Sequence, residues 1–482
     1  MFRSGRSPLI HIVTRTIAMT AFAWTLHPAG AQTLDGCGLP LPGATDRDSG
    51  LGERIVQNRQ GQRFLLAPSL TVGHTSTDNL ELATDRERES SNISKIVPAV
   101  TFCQNRKNLR TQIDYRAELR YYPNERERTD VRHQFNTINT AELLDQTAFF
   151  DLEAQLDQWP LSADAPRNEN DPRASEDVFN LRASPYINQD LGQAGSLQAR
   201  YAHESRYYED SRARDTDRQI GSIRLTSPAA ADPISWVGSV RSERIERDEA
   251  SRSEEGSYLD DAFIELGYRV RGGLTLTARG GAETDLSNDS EDRFGDEYWE
   301  TGGRWSNGRS RIEARIGRRF FDETFFAAVS HRAGRITGNL SYRESQDVRA
   351  DENNPESDVA LSQRLNISAV YERGRSRVNV NFFDDRADFI RTGEERDRIG
   401  VNTRWQWRFQ RRTTLTPAVE WDRLDGRDGI KSDTYDARIS LTRLLSRDMQ
   451  AGITLRRQIR DSEESKYEYR ENAVTLEITR VF

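Results

Sequence analysis

Between Leu109 and Tyr121 the chain changes character at every step. Leu109, Thr111, Ile113, Tyr115, Ala117, Leu119 and Tyr121 alternate with Arg110, Gln112, Asp114, Arg116, Glu118 and Arg120. Side chains of an extended strand point to opposite faces in turn, so this period of two separates an apolar or neutral face from a wholly polar one. The dyad recurs at Phe150/Leu152/Ala154/Leu156 against Asp151/Glu153, at Leu197/Ala199/Tyr201 against Arg200, and at Ala262/Ile264/Leu266/Tyr268/Val270 against Glu265/Arg269. It returns at Leu274/Leu276/Ala278 against Arg279, at Ile312/Ala314/Ile316 against Glu313/Arg315, at Ile399/Val401/Thr403/Trp405/Trp407 against Arg404, and at Ala437/Ile439/Leu441 against Arg438. Alternating segments of about ten residues are the signature of transmembrane strands. A soluble sandwich alternates too, but its core needs bulky groups, and many strands here offer a thin face bearing Ala and Gly. Fluid acyl chains fill such gaps.

The connections alternate in length, and this orients the strands. Counting back from Phe482, short links fall at Leu445–Asp448, Gln410–Arg412, Arg373–Arg375, Arg332–Gly334, Asn307–Gly308 and Arg271–Gly273. Long polar links lie between them at Leu424–Ser432, Asp384–Glu395, Ser345–Ser357, Asp285–Asp296 and Glu246–Ser257. Short turns are periplasmic and long loops external in barrels of the outer-membrane type. Continuing to Arg63 gives eleven hairpins. The pattern therefore predicts an all-β fold, a transmembrane antiparallel up-and-down β-barrel of about 22 strands with an accepted range of 18–22. The tight Phe320–Thr324 turn and the strand around Asn136–Leu143 carry the weakest signal. Trp236, Tyr268, Trp305, Tyr371, Trp405, Trp407 and Phe482 fall near periplasmic strand ends, and Tyr121, Tyr207, Trp299, Tyr342 and Trp421 near outer ends. Amphipathic rings at two levels are what membrane interfaces select.

Both termini carry further signals. Val474, Leu476, Ile478 and Phe482 share one face of the closing segment, with Thr475, Glu477 and Thr479 on the other. A terminal aromatic on that face matches the strand by which barrels are recognised for insertion. Arg480 breaks the apolar register, where a long side chain can still carry its charge to the interface. At the amino end, Arg3, Arg6 and Arg15 accompany the apolar run Thr16–Leu26, followed by Ala29-Gly30-Ala31. The expected division is a signal peptide over 1–31, a periplasmic arm over 32–62 and the barrel over 63–482. The run is too short to cross a bilayer as a helix, and no later stretch approaches the length required.

Composition alone points elsewhere. Charged residues make up 30% of the chain, the apolar fraction is 35% and mean hydropathy is −0.81, values that resemble disorder until the alternation is seen. The net charge of −8, more negative once the arginine-bearing leader is removed, makes a nucleic-acid partner a poor fit. Beyond the leader the histidines are His74, His133, His203 and His331. A rim-active Ser-His or Asp-His hydrolase needs a constellation that lone histidines among plentiful Ser and Asp do not define, so no enzyme is expected. No glycine-rich phosphate loop, His-x-x-x-His pair or Cys-x-x-Cys is present, and acidic loops such as Asp285–Asp296 do not spell an EF-hand. No cofactor or metal is expected. Cys37 and Cys103, both placed on the periplasmic side, are read as a disulfide; lipidation at Cys37 is the alternative, weakened by Asp35 and the early end of the apolar run.

The polar faces assemble a candidate pore lining of Arg110, Asp114, Arg116, Glu118, Arg120, Arg200, Glu265, Arg269, Arg279, Arg304, Glu313, Arg315, Arg404, Arg438 and Arg456. Two readings stand side by side. The wall orders charged or polyhydroxyl solutes, or it is a structural salt-bridge lattice. The segment before the barrel, Gln32 to Gln62, is short for a plug, which speaks against a TonB-dependent transporter.

Phe64-Leu65-Leu66-Ala67-Pro68-Ser69-Leu70 is followed by Thr77-Asp78-Asn79-Leu80, by the Pro98-bearing strand Ile93–Val100, and by the Tyr-bearing strand Tyr115–Tyr122. This succession resembles the PEP-CTERM-system-associated outer-membrane proteins, which are similar to the β-barrel porin type 2 group. The match runs from Phe64 to about Tyr122. The resemblance implies a barrel in the outer membrane of a Gram-negative bacterium, working as a conduit or scaffold in exopolysaccharide production or export. Its partners would be outer-membrane lipid, the barrel assembly machinery, and polysaccharide or export-system proteins. A general diffusion porin is the alternative.

Overall fold

The structure is a computed structural model. It describes residues 64–482 apart from 124–128, 161–167, 169, 172–174, 210–214, 229–230, 248–256, 285–293, 321, 350–357, 390–392 and 427–428. The expected signal peptide, the arm over 32–62 and Cys37 lie outside the described residues.

Twenty-two strands follow one another. The first six are β1 (Phe64–Thr77), β2 (Ser91–Arg106), β3 (Leu109–Tyr121), β4 (Asp130–Leu144), β5 (Ala148–Pro160) and β6 (Ser175–Asp190). Next come β7 (Ser196–Tyr208), β8 (Thr216–Thr226), β9 (Ile234–Arg247), β10 (Ser257–Arg269), β11 (Leu274–Glu283) and β12 (Asp296–Ser306). They continue as β13 (Ser310–Arg319), β14 (Asp322–Ala333), β15 (Ile336–Arg349), β16 (Asp358–Arg373) and β17 (Ser376–Phe389). The last five are β18 (Glu395–Gln410), β19 (Thr413–Asp425), β20 (Lys431–Leu444), β21 (Met449–Ser462) and β22 (Tyr469–Val481).

Each strand pairs antiparallel with its sequence neighbour, and β1 pairs with β22 from Ser69↔Val481 to Thr77↔Ala473. The sheet is therefore a closed barrel. The tight turn before Thr324 and the strand through Asn136–Leu143 both form, as β13–β14 and β4. Twenty-two strands about 4.8 Å apart, tilted by roughly 40°, enclose a ring on the order of 40 Å across. No helix among the described residues is long and apolar enough to cross a membrane.

Strands run 10 to 16 residues, longer than the sequence pattern predicts. The expected loop Asp384–Glu395 begins only after Phe389, and Ser345–Ser357 only after Arg349. The reason is that the ladder continues beyond the apolar band. Asp385 lies opposite Arg398 and Arg386 opposite Asp397, so polar ends keep both backbone pairing and charge partners.

The two faces of the wall are chemically opposite. Outward positions carry exposed apolar groups, such as Leu70, Val72, Ile96, Ile264, Leu266, Leu276, Ile316 and Val419. That surface is the one fitted to lipid. Inward positions carry the charges, and ion pairs there skip strands: Arg319 of β13 reaches Asp261 of β10 at 2.9 Å. Such reach is open only to the concave side. The closing seam is lined inside by hydroxyls, with Thr71–Thr479 and Thr75–Thr475 each at 2.9 Å. Its periplasmic end is tied by the Phe482 N–H to the Pro68 carbonyl at 2.8 Å.

Candidate functional site: the lumen wall

The fifteen expected lining residues all fall on the inward register, but they do not form one site. The densest group spans β10 to β13. Arg279 contacts Glu265 at 2.6 Å and Glu300 at 3.1 Å, and Arg304 approaches Glu265 at 2.9 Å. Arg315 lies 3.6 Å from Glu300 and 3.7 Å from Glu313. Above it, Arg319 bridges Asp261 and Glu283 at 2.9 and 2.8 Å. Tyr298 donates to Asp261 at 2.7 Å and lies 4.3 Å beneath the Arg319 guanidinium. A side chain at Gly281 would meet the Tyr298 ring at 2.7 Å, so glycine there lets the ring lie flat against the wall. Arg279 and Arg315 likewise rest on Phe263 and Phe326, each at 4.2 Å. Stacked, paired guanidiniums of this kind are held in fixed orientations.

Smaller groups line the rest. On β3, Glu118 and Arg120 pair at 2.7 Å, Asp114 accepts from Thr101 and Gln112, and Arg116 donates to Gln134. Arg200 contacts Asp151 and Ser184, each at 2.9 Å, above the Tyr186 ring. Near the seam, Asp436 joins Arg456 at 2.7 Å and Arg438 at 3.7 Å, and Arg456 lies 3.7 Å from Glu471. Arg404 stands opposite Asn379 and Ala418. Arg110 and Arg269 sit apart, exposed at the periplasmic ends of their strands, with Asp232 3.4 Å from Arg269.

A second surface carries no charge pattern to mark it in the sequence. From β15 to β18 the inward positions include Asn339, Ser341, Asn366, Ser368, Asn379, Asn381 and Asn402, several directly paired across strands. This is a strip dominated by amides and hydroxyls, with the charged Arg404 opposite Asn379. The alternation of Val378-Asn379-Val380-Asn381 was its signal.

At the outer mouth, Asn168 and Asn170 between β5 and β6 bond to residues near the ends of β1, β3 and β22. Asn168 donates to the Leu80 carbonyl, Asn170 to Glu471 at 3.0 Å, and Tyr122 donates to the Asn170 carbonyl at 2.6 Å. Burial raises the Tyr122 hydroxyl above the usual phenol range. Nothing in the polar sequence around Asn168 distinguished these contacts beforehand.

The histidines face outward. His74 Nδ1 is 3.1 Å from the Ser94 hydroxyl, His331 Nδ1 is 2.8 Å from Ser310, and His133 Nδ1 is 2.9 Å from Tyr115. No carboxylate is hydrogen-bonded to these imidazoles among the described residues. Cys103 is disulfide-bonded, and its expected partner Cys37 lies outside the described residues. Val474, Leu476, Ile478 and Phe482 are all exposed on the outer face of the closing segment. Arg480 shares that face, 3.3 Å from Asp448 and stacked 5.2 Å from the Phe482 ring.

No family model and no curated protein matches the chain. Solved structures do. A double mutant of the ferric enterobactin receptor of Pseudomonas aeruginosa aligns at 9% identity and TM-score 0.52, covering 86% of this chain and 80% of that one. A further mutant of that receptor, in complex with enterobactin, aligns at 9% identity and TM-score 0.52, covering 86% and 81%. A loop-deletion mutant of OmpT, an outer membrane protein of Vibrio cholerae, aligns at 9% identity and TM-score 0.34, covering 87% and 100%. The likeness is one of fold: this chain is a 22-strand antiparallel β-barrel of the outer-membrane type.

Proposed function

We propose that the protein resides in the Gram-negative outer membrane and serves as a non-enzymatic conduit or scaffold for exopolysaccharide leaving the cell. The observation that carries this reading is the luminal wall, where fixed guanidiniums adjoin a strip of amides and hydroxyls. Guanidiniums suit carboxylates, and amides exchange hydrogen bonds with sugar hydroxyls as readily as with water. The family resemblance over Phe64–Tyr122 points the same way. On this reading its partners are outer-membrane lipid, the barrel assembly machinery and the polysaccharide or its export proteins.

Deletion of the gene should abolish or sharply reduce surface polysaccharide, with restoration by the wild-type chain. Normal polysaccharide in the deletion strain, together with altered uptake of small solutes, would instead make it a general diffusion porin. Loss of Phe482 should give poor assembly and periplasmic degradation, because it removes the terminal lipid-facing aromatic while leaving β22 intact. Undiminished barrel levels would count against that residue's role as an assembly signal.

A further inference from the structure

Nine of the ten periplasmic turns fall into two unlike arcs, with β10–β11 between them. In the four turns from β2–β3 to β8–β9 the charges are few and of both signs, with Lys107 3.2 Å from Asp145. In the five turns from β12–β13 to β20–β21 stand Arg309, Arg335, Arg375, Arg411, Arg412 and Arg447, all exposed. One acid, Asp448, occurs within those turns, and it faces Arg480. Lysine is absent from this arc. The arginines Arg311, Arg332, Arg377 and Arg408 follow on the inward register just above, exposed at the mouth, with one acid, Glu372, 3.3 Å from Arg377.

The arc is also fixed in shape. Gly334 and Gly374 take φ of +61° and +59° at the first turn position, the pattern of a II′ hairpin, which leaves Arg335 and Arg375 at the tips. Successive hairpins are then tied sideways through those arginines' own backbones. The Arg332 N–H donates to the Arg309 carbonyl, Glu372 to Arg335, Arg408 to Arg375 and Leu444 to Arg412, at 2.8 to 3.0 Å. Guanidiniums are thus presented roughly 10 Å apart, two strand spacings, along a rigid rim. One exposed guanidinium holds a carboxylate weakly, but a polymer bearing many carboxylates engages several at once without new contacts being required.

We infer that this arc captures an acidic polysaccharide, one with carboxylates on successive sugars, and feeds it to the amide strip of β15–β18 directly above. The inference rests on the export reading and specifies its substrate class. A glycan is favoured over an acidic protein because the arginines continue inward into the mouth, where an extended chain can follow and a folded surface cannot.

The test uses the full mature chain in zwitterionic nanodiscs, with a defined oligogalacturonate and a neutral glucan of equal length as probes. The acidic oligomer should bind, the neutral one should not, and binding should weaken as salt rises. Combining Arg309→Gln, Arg335→Gln, Arg375→Gln and Arg412→Gln should weaken binding roughly tenfold or more, whereas Lys107→Gln should leave it unchanged. A heat-modifiable gel shift establishes that each variant is folded. In planar bilayers, the oligomer should block current when added on the periplasmic side alone, and the fourfold variant should lose that block. Equal binding of the neutral glucan, or an unaffected fourfold variant, overturns the inference. So does loss of binding in phosphatidylglycerol nanodiscs, which would make lipid the occupant. Polyglutamate binding as tightly without blocking current would assign the arc to an acidic protein and overturn it too. The export reading fails separately, on normal polysaccharide secretion in the deletion strain.

Discussion

From β10 to β13 the inner wall is built of ions that satisfy one another, Arg279 with Glu265 and Glu300, Arg319 with Asp261 and Glu283. From β15 to β18 the corresponding stretch carries asparagines and serines such as Asn366, Ser368, Asn381 and Asn402. The first region spends its polar groups internally. The second holds fewer such contacts, with Asn339 donating to Ser368 at 3.3 Å. Charge density therefore marks the stiffer part of the lumen, and the blander part beside it adds amides and hydroxyls for cargo to meet.

The division is broken most directly at Arg319. Replacing it by Met leaves Asp261 and Glu283 without their shared cation, and Glu283 is almost fully buried. Removing one partner of such a pair costs about 3 kcal/mol or more, so the urea midpoint of the folded barrel should fall clearly. Adding Glu283→Gln should recover much of the loss. Asn402→Leu, in the amide strip, should cost less than about 1 kcal/mol. Equal destabilisation by Arg319→Met and Asn402→Leu would erase the distinction.

Next in size is an effect on passage. Asn381→Leu with Asn402→Leu should slow neutral oligosaccharide entry into liposomes severalfold while leaving small-ion conductance nearly unchanged. Unchanged swelling rates would deny the strip its contact role. Arg116→Glu with Arg120→Glu alters a smaller luminal group, where Arg120 pairs with Glu118. The reversal potential should move toward cations, with permeability ratios changing roughly twofold to fivefold.

The smallest effect lies at the β20–β21 turn. The Ser446 hydroxyl, foremost, and Arg480 hold the Asp448 carboxyl below its ordinary range. A depressed pKa adds stability above the unfolded value and loses it as pH falls through the folded one. Ser446→Ala should shift the Asp448 titration upward by NMR, with a slight fall in the thermal midpoint at neutral pH that vanishes below the folded pKa.

The strands were legible because lipid and water on opposite faces impose a period of two on every crossing, as in Leu109–Tyr121. Hairpin number and the outward face of Phe482 followed from the same rule. Strand ends were not legible: Asp384–Asp388 reads as loop because its charges have no lipid face to mark, yet it pairs with β18. The lining residues were placed on the right face, but their grouping was hidden. An ion pair such as Arg304–Glu265 spans two strands, and the contact depends on barrel curvature, which no single strand encodes. The amide strip went unread because asparagine on a wet face is unremarkable until its neighbours are known.

The seam between β1 and β22 has a kinetic consequence. Every other strand pair can form once two adjacent strands exist, whereas Thr71 and Thr479 are separated by 408 residues. Contacts of such high order are slow to close and come last. A chain interrupted before β22 would carry two unpaired edges, each a template for non-native pairing. Shortened products should therefore show protease sensitivity along their whole length, not merely at the missing end.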